Sequence, residues 1–550
     1  MELNIAAACA AIAEAHPDRQ ALVTSRGSWT WAQVQDRSRR LARVLHDAGL
    51  GRRPAAGGDP RWSSPHDHVA LYLHNGSEYL EGMLGAWSAR AASFNVNYRY
   101  VAEELRYLLD DADARAVVVA DCFAPVLADV LPTLRRPPEL LLQVSDGSGN
   151  ELLPGALEYE AALAAAIPEL PEDLVQSWSG DDLYLCYTGG TTGMPKGTMW
   201  RQADFVVSAL GVRRRDRSEY VSLDELVADA HGRVRALPAP PLMHGAAHWN
   251  ALSSWLAGGT VIIQSVVDRF DPCDVLDTVE AHAATSLLVV GDPMARPLID
   301  ALRADAPAGR RRDLTSLRHV LSGGAVLSPR SKAELLELMP DLTIVDVLGS
   351  TESGRQGVAR VRAGDDTRAT FVPSDSAAVL SEDLTRRLEP GAAELGWLAQ
   401  SGRVPLGYLG DPEKTAVTFP MVDRMRYAVA GDRARLCSDN RIELHGRDSV
   451  CINTGGEKVF AEEVETAIKS HPAVLDAVVC GRPSPRWGEE VVAIVALRPG
   501  VAPSDEELVA AAGEHIARFK LPRAIHRVEE VLRAPSGKAD YRWARQQVTT

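Results

Sequence analysis

The chain has 550 residues, more than one hydrophobic core organises, so at least two domains are expected. Hydrophobic residues make up 46% and charged residues 24%, which excludes a disordered or fibrous chain. A formal net charge of −15 disfavours non-specific binding to nucleic acid or to an anionic membrane. Phosphate, if bound, must be held locally by backbone N–H groups and a few placed cations.

From the N-terminus, Asn4 to Ala13 is apolar but follows Glu2 and no basic residue. An amphipathic first helix closed at His16-Pro17-Asp18 is expected rather than an export signal. Helices are then expected over 31–48 and 102–111, with buried strands over 70–73 and 116–120. Residues 51–65 are rich in glycine and proline and read as a loop. The strand–helix rhythm continues through 261–263, 287–290 and 343–345. It predicts a layered α/β fold with mainly parallel sheets.

Residues 213–235 are rich in charge, which fits a lid or, better, a solvated surface excursion. After Gly446 the pattern becomes a small α+β unit: helix 459–470, strands 474–480 and 490–497, helix 505–518. The domain boundary is set at Gly446-Arg447, giving an N-terminal domain 1–446 and a mobile C-terminal domain 447–550. Seven cysteines are scattered and never spaced as CxxC, as expected for reduced thiols in a cytoplasmic protein. No apolar run is long enough to cross a bilayer.

The segment Tyr187-Thr188-Gly189-Gly190-Thr191-Thr192-Gly193-Met194-Pro195-Lys196-Gly197 follows the apolar run Leu183–Cys186. Its glycines let the backbone turn tightly and aim N–H groups at an anion. The threonines add hydroxyl donors, and Lys196 adds one compact positive charge. This suits a polyphosphate that will leave as pyrophosphate. The P-loop pattern GxxxxGK[ST] is not met, because Lys196 follows Pro195 and precedes Gly197.

The segment resembles the signature of the adenylate-forming superfamily, which includes acyl-CoA synthetases, peptide-synthetase adenylation domains and luciferases. Further motifs extend the resemblance over nearly the whole chain. Asn95 to Tyr100 and Leu242 to Trp249 are similar to bacterial fatty-acyl and steroid-side-chain CoA ligases. The resemblance implies an acyl-CoA synthetase-like fold that uses ATP, Mg²⁺ and coenzyme A on a small-molecule carboxylic acid.

In Asp346-Val347-Leu348-Gly349-Ser350-Thr351-Glu352, a carboxylate beside a hydroxyl suits Mg²⁺ bridging phosphates. The resemblance places Thr351 on the α-phosphate and Glu352 on the metal. The run Asp346, Leu348, Gly349 and Ser350 would line the nucleotide. Leu348 stands where the family has an aromatic residue against adenine, so apolar packing would replace stacking. The alternative is that Thr351-Glu352 starts a helix capped by Ser350. Gly323, Gly324 and Ala325 are similar to the loop under adenine and the acyl chain.

Asp432 corresponds to the ribose-binding carboxylate and Arg447 to an ATP-contacting arginine. Lys538 corresponds to the lysine that relieves repulsion between carboxylate and α-phosphate. Gly455 and Gly456 would let backbone pass beside the pantetheine arm, and His244 would gate the acyl tunnel. Ser449 stands where the hinge has Asp or Lys, so either the rotation rate changes or the pivot moves to Asp448. Asn453 and Ala461 replace a lysine and a proline.

Lys196, Thr351, Glu352, His244 and Lys538 are therefore the catalytic candidates. Coenzyme A is the expected acceptor. A carrier-protein thiol or another nucleophile stays open, as do a homodimer and a non-catalytic nucleotide-binding homologue. The segment Leu242–Trp249 offers no acidic anchor for a substrate ammonium, which argues against an amino acid.

Overall fold

The computed structural model describes residues 1–53, 62–190, 193–305, 307, 309–367, 370–454, 457–484, 488–534 and 537–548. The continuous apolar runs become strands covered on both faces, as parallel sheets require. Ala114–Ala120 and Leu140–Val144 are buried throughout. With Ala92–Asn95, His68–Tyr72 and Leu157–Glu158 they form a five-stranded, all-parallel sheet.

A second, nine-stranded sheet has Thr343–Ser350, His319–Ser322, Ser286–Val289, Arg235–Pro238, Thr260–Ile262 and Gln20–Thr24 side by side and parallel. Antiparallel strands close its edges, Gly27–Thr30 at one and Gly354–Val361 followed by Val372–Pro373 at the other.

The largest core cluster joins the two sheets. It holds Val69, Leu71 and Val118 of the first and Leu22 and Val261 of the second. The helix Ser77–Ser88 between them is buried along its whole length. Its two carboxylates are therefore paired, Glu78 with Arg26 at 2.5 Å and Glu81 with Arg37 at 2.7 Å, as buried charge requires. The first helix, Ile5–Ala15, is capped by Asn4 and sinks Ile5, Ala8, Cys9 and Ile12 into this core. Among the described residues no helix is long and apolar enough to cross a membrane.

Two antiparallel assemblies complete the N-terminal part. Leu183–Gly190, Gly193–Arg201 and Gly407–Tyr408 form a three-stranded sheet. Short strands between Ala377 and Arg447 form a six-stranded one. The charged excursion at 213–235 folds onto the surface, with Arg214 paired to Glu225 at 2.8 Å, and Arg403 paired to Glu219 at 2.7 Å.

The C-terminal part has a five-stranded sheet and its own core, whose buried residues run from Val450 to Val548. Two expected helices there are shorter. Val459 and Phe460 pair with Ile452 and Cys451 in the strand Glu457–Phe460, so the helix starts at Ala461 and ends at Ile468. β-Branched and aromatic side chains favour that strand. The later helix is Asp505–Gly513, opened by a Ser504/Glu507 capping box and stopped at Gly513.

Candidate active site

The hairpin Leu183–Gly190/Gly193–Arg201 sets Thr188 opposite Lys196 and Gly190 opposite Gly193. Gly189 lies in the first of these strands. Thr191 and Thr192 lie outside the described residues. Buried Asn95 anchors the base. Its Nδ2 donates to the Tyr187 and Met243 carbonyls at 2.7 and 2.8 Å, and its Oδ1 accepts from Tyr187 N at 2.8 Å. Lys196 forms an ion pair with Asp411 and stands 5.8 Å from the Tyr408 ring centroid.

The motif 346–352 is not a strand followed by a helix. Thr343–Ser350 runs through the motif, and Thr351-Glu352-Ser353 turn it back into the antiparallel strand Gly354–Val361. Ser353 Oγ accepts from Ser350 N at 3.1 Å and closes the turn. Trp200 Nε1 donates to the Thr351 carbonyl at 2.9 Å, which ties this turn to the hairpin Leu183–Gly190/Gly193–Arg201. Tyr408 donates its hydroxyl to Glu352 Oε1 at 3.0 Å. Burial and the Glu352 charge lift the Tyr408 pKa, so it remains a donor.

Gly323, Gly324 and Ala325 follow the strand His319–Ser322, beside the 343–350 strand. A Cβ on Gly323 would stand 3.3 Å from the Val347 carbonyl oxygen. Asp432 opens the strand Asp432–Leu436, and Arg447 closes its neighbour. Their side chains meet, with Arg447 Nε 3.3 Å from Asp432 Oδ1.

Lys538 enters this space from the C-terminal domain. A Cβ on Gly324 would stand 3.9 Å from Lys538 Cε, and one on Gly537 would stand 2.8 Å from Val290 Cγ1. Gly537 has φ +74°, so glycine serves both the turn and the close seat on Val290. Lys538 as a residue keeps part of its surface in solvent, although protein crowds around its ammonium. Burial and then Arg447 lower its pKa, while Glu352 and Asp432 oppose them. One ammonium from one domain thus stands near Glu352, Asp432 and Gly324 of the other, with Arg447 at the junction between them.

Other candidates stand elsewhere. Asp346 is buried in an ion pair with Lys332, and burial raises its pKa. Leu348 packs inward with Ala359, Phe371 and Val379. Gly349 and Ser350 pair with Arg355 and Gly354 as the hairpin closes. Gly455 and Gly456 lie outside the described residues. At the expected hinge, Ser449 lies in the short turn Asp448–Val450, and Asp448 stands 3.9 Å from the buried Arg433 guanidinium.

The two histidines separate clearly. His248 accepts from the Tyr184 hydroxyl at 2.5 Å and donates from Nδ1 to the Leu242 carbonyl at 2.7 Å. Tyr184 in turn accepts from Trp249 Nε1 at 2.8 Å. This is a satisfied structural relay. His244 precedes the helix Gly245–Leu256, and its Nε2 has no hydrogen-bond partner. Burial foremost, then the Lys538 charge, lowers its pKa to about 3, so it is neutral at ordinary pH.

Sequence reasoning passed over Asn95 as a clamp, and Trp200, Tyr408 and Asp411 altogether. The signal for the last two was Gly407-Tyr408 followed by Asp411-Pro412, in which Asp411 caps the helix Pro412–Thr418. A cap beside an aromatic residue reads as ordinary turn chemistry.

A family model described as AMP-binding enzyme matches residues 9–408, and one described as AMP-binding enzyme C-terminal domain matches 463–538. The chain belongs to the AMP-binding enzyme family. Among its curated relatives within the family is the "Medium-chain acyl-CoA ligase Mig" of Mycobacterium avium. The two are 48% identical over 99% of this chain and 98% of the relative. The "3-oxocholest-4-en-26-oate--CoA ligase" of Rhodococcus rhodochrous is 38% identical, over 100% of this chain and 96% of the relative.

Solved structures of AMP-binding enzymes share the fold. An anthranilate CoA ligase in complex with anthranoyl-AMP superposes with a TM-score of 0.81 at 21% identity, covering 100% of this chain and 97% of that one. ATP-bound MatB of Rhodopseudomonas palustris gives 0.76 at 22% identity, covering 98% of each chain.

Proposed function

We propose that this AMP-binding enzyme activates a medium- to long-chain or steroid-side-chain carboxylic acid as its acyl-adenylate and transfers the acyl group to coenzyme A. The observation that carries the proposal is the Lys538 side chain packed against Gly324 of the N-terminal domain, where the charges of Glu352, Asp432 and the junction residue Arg447 act on it. The names of the two curated relatives supply the acid class. The cytoplasm, where ATP and coenzyme A are abundant, is the compartment that fits.

In the first step a carboxylate oxygen attacks the α-phosphorus of ATP. The O–Pα bond forms, the bond from Pα to the bridging oxygen breaks, and pyrophosphate leaves. Two anions approach each other, so the barrier is largely electrostatic. Lys538 offsets that repulsion. The backbone of 188–193 and Lys196 hold the leaving phosphates, and Asp432 accepts from the ribose hydroxyls. No general base is needed, because the acid is already ionised at neutral pH, which agrees with a neutral His244 placed as a gate.

Mg²⁺ suits the donor set. Glu352 presents a carboxylate, and no group of three or more candidate ligands competes among the described residues. Mg²⁺ favours such sites, with one or two carboxylates and phosphate oxygens completing its shell. When bound it would neutralise phosphate charge. In the second step the thiolate sulfur attacks the acyl carbonyl, the C–S bond forms, and AMP leaves with the mixed-anhydride oxygen.

The test is acid-dependent pyrophosphate release over fatty, aromatic and steroid-side-chain acids, with and without coenzyme A. Release with one acid class and an acyl-CoA product bears the proposal out. Release without thioester moves the acceptor to a carrier protein or another nucleophile. No release with any acid overturns it.

A further inference from the structure

Lys538 can act only if the C-terminal domain is held in register, and one buried contact is built to do that. Lys469 ends the helix Ala461–Ile468, and its ammonium lies 3.8 Å from Asp292 Oδ2 of the N-terminal domain. Their side chains are only 7% and 3% exposed. Asp292 sits at the start of the helix Gly291–Asp305. Its Oδ1 accepts from Ser328 N at 3.0 Å, Ser328 Oγ at 3.1 Å and Ser331 Oγ at 2.6 Å. That oxygen is saturated, and the other faces Lys469.

The same strand-to-helix turn carries Val290, on which Gly537 sits immediately before Lys538. One short segment therefore receives both the charged anchor and the catalytic loop. Two further contacts cross the interface. Arg330 Nη1 donates to the His471 carbonyl at 3.1 Å, and Arg498 pairs with Asp300 at 3.3 Å. The Arg498–Asp300 side chains are 26% and 41% exposed, and such exposed pairs contribute little. A buried pair is different. Its desolvation cost roughly cancels its attraction, but a misregistered Lys469 would lose Asp292 and keep only the carboxylates of its own domain, Glu462, Glu465 and Asp476. It selects an arrangement more than it adds stability.

We infer that Lys469 and Asp292 form a positioning pair that seats Lys538 for acyl-adenylate formation and is not needed for transfer of the acyl group to the thiol. The inference rests on the acyl-CoA ligase proposal. The reason for the split is chemical. Only the first step brings two anions together at the α-phosphate, whereas the second is attack on a carbonyl with AMP as the leaving group.

The experiment measures the two half-reactions separately in the full chain. One is single-turnover acyl-AMP formation from acid and ATP; the other is acyl-CoA formation from supplied acyl-adenylate. Lys469→Met should slow the first about tenfold or more, since a shift of about 1 Å in a catalytic group can cost that much. It should leave the second within about twofold, and ATP binding unchanged. Lys469→Arg, which keeps the charge, should recover part of the loss, and thermal melting should show both variants folded.

Equal losses in both half-reactions, or none in either, would overturn the positioning role. If Lys469→Met is neutral while Lys538→Ala still abolishes adenylation, the inference fails and the ligase proposal stands. If the wild-type chain forms no adenylate with any acid, both fall.

Discussion

The Tyr408 hydroxyl donates to Glu352 at 3.0 Å, and the same ring lies under Lys196. A single aromatic side chain thus joins the expected metal carboxylate to the expected phosphate lysine. Removing the hydroxyl in Tyr408→Phe frees Glu352 to rotate. The loss of a hydrogen bond to a charged group is about 1.5–3 kcal/mol. Adenylation should slow about 10- to 100-fold, and the Mg²⁺ concentration for half-maximal rate should rise. Initial rates over a Mg²⁺ titration check this; an unchanged Mg²⁺ dependence would dissociate Tyr408 from the carboxylate.

Asn95 holds the base of the phosphate hairpin through three hydrogen bonds, one of which reaches the Met243 carbonyl beside His244. Asn95→Ala leaves buried backbone groups unpaired. A loss of about 2–4 kcal/mol is expected, the upper range for breaking a buried network. Chemical denaturation gives the number, and a loss below about 0.5 kcal/mol would show that water replaces the clamp.

Much of the fold could be read from the sequence because its strands are continuous apolar runs. Ala116–Ala120 and Leu287–Val289 have no polar face to confuse the pattern. The antiparallel strands between Ala377 and Arg447 are short, Ala377–Leu380 and Met425–Ala428 spanning four residues each, so periodicity has little to act on. Motifs single out candidate site residues but not their groupings, and no motif points to Trp200, Tyr408 or Asp411. Asp346 reads as a nucleotide ligand in the sequence, and nothing there shows its ion pair with Lys332 of the helix Pro329–Leu338. Lys469 looks like a surface lysine after a helix, and only the docking of the two domains gives it Asp292.

His244 is held neutral, with its pKa pressed to about 3. The rate profile from about pH 5 to 9 should therefore carry no limb from this residue. His244→Ala should change KM for the acid and leave the shape of the profile unaltered. Loss of a limb in the variant would restore an acid–base role.

Glu462 lies against Gly446, where a Cβ would stand 2.6 Å from its Oε2. Burial, then Glu465 and Asp432, raise its pKa from 4.5 to about 7, against Arg447 and Lys469. Between those two values the folded chain keeps a proton that the unfolded chain releases. Stability from this group is therefore present below pH 4.5 and lost as pH rises through about 7. Glu462→Gln should flatten that part of the curve, measured as the denaturation midpoint against pH. An identical slope in the variant would assign the dependence to other groups.

The central claim is that Lys538 stabilises the step in which acid meets ATP. Single-turnover acyl-AMP formation should be measured for Lys538→Ala and wild type, with ATP affinity determined in parallel. The account predicts a fall of about a hundredfold or more in adenylate formation, the scale of losing one preorganised charge, with ATP affinity within a few-fold. Adenylate formation at the wild-type rate would contradict it.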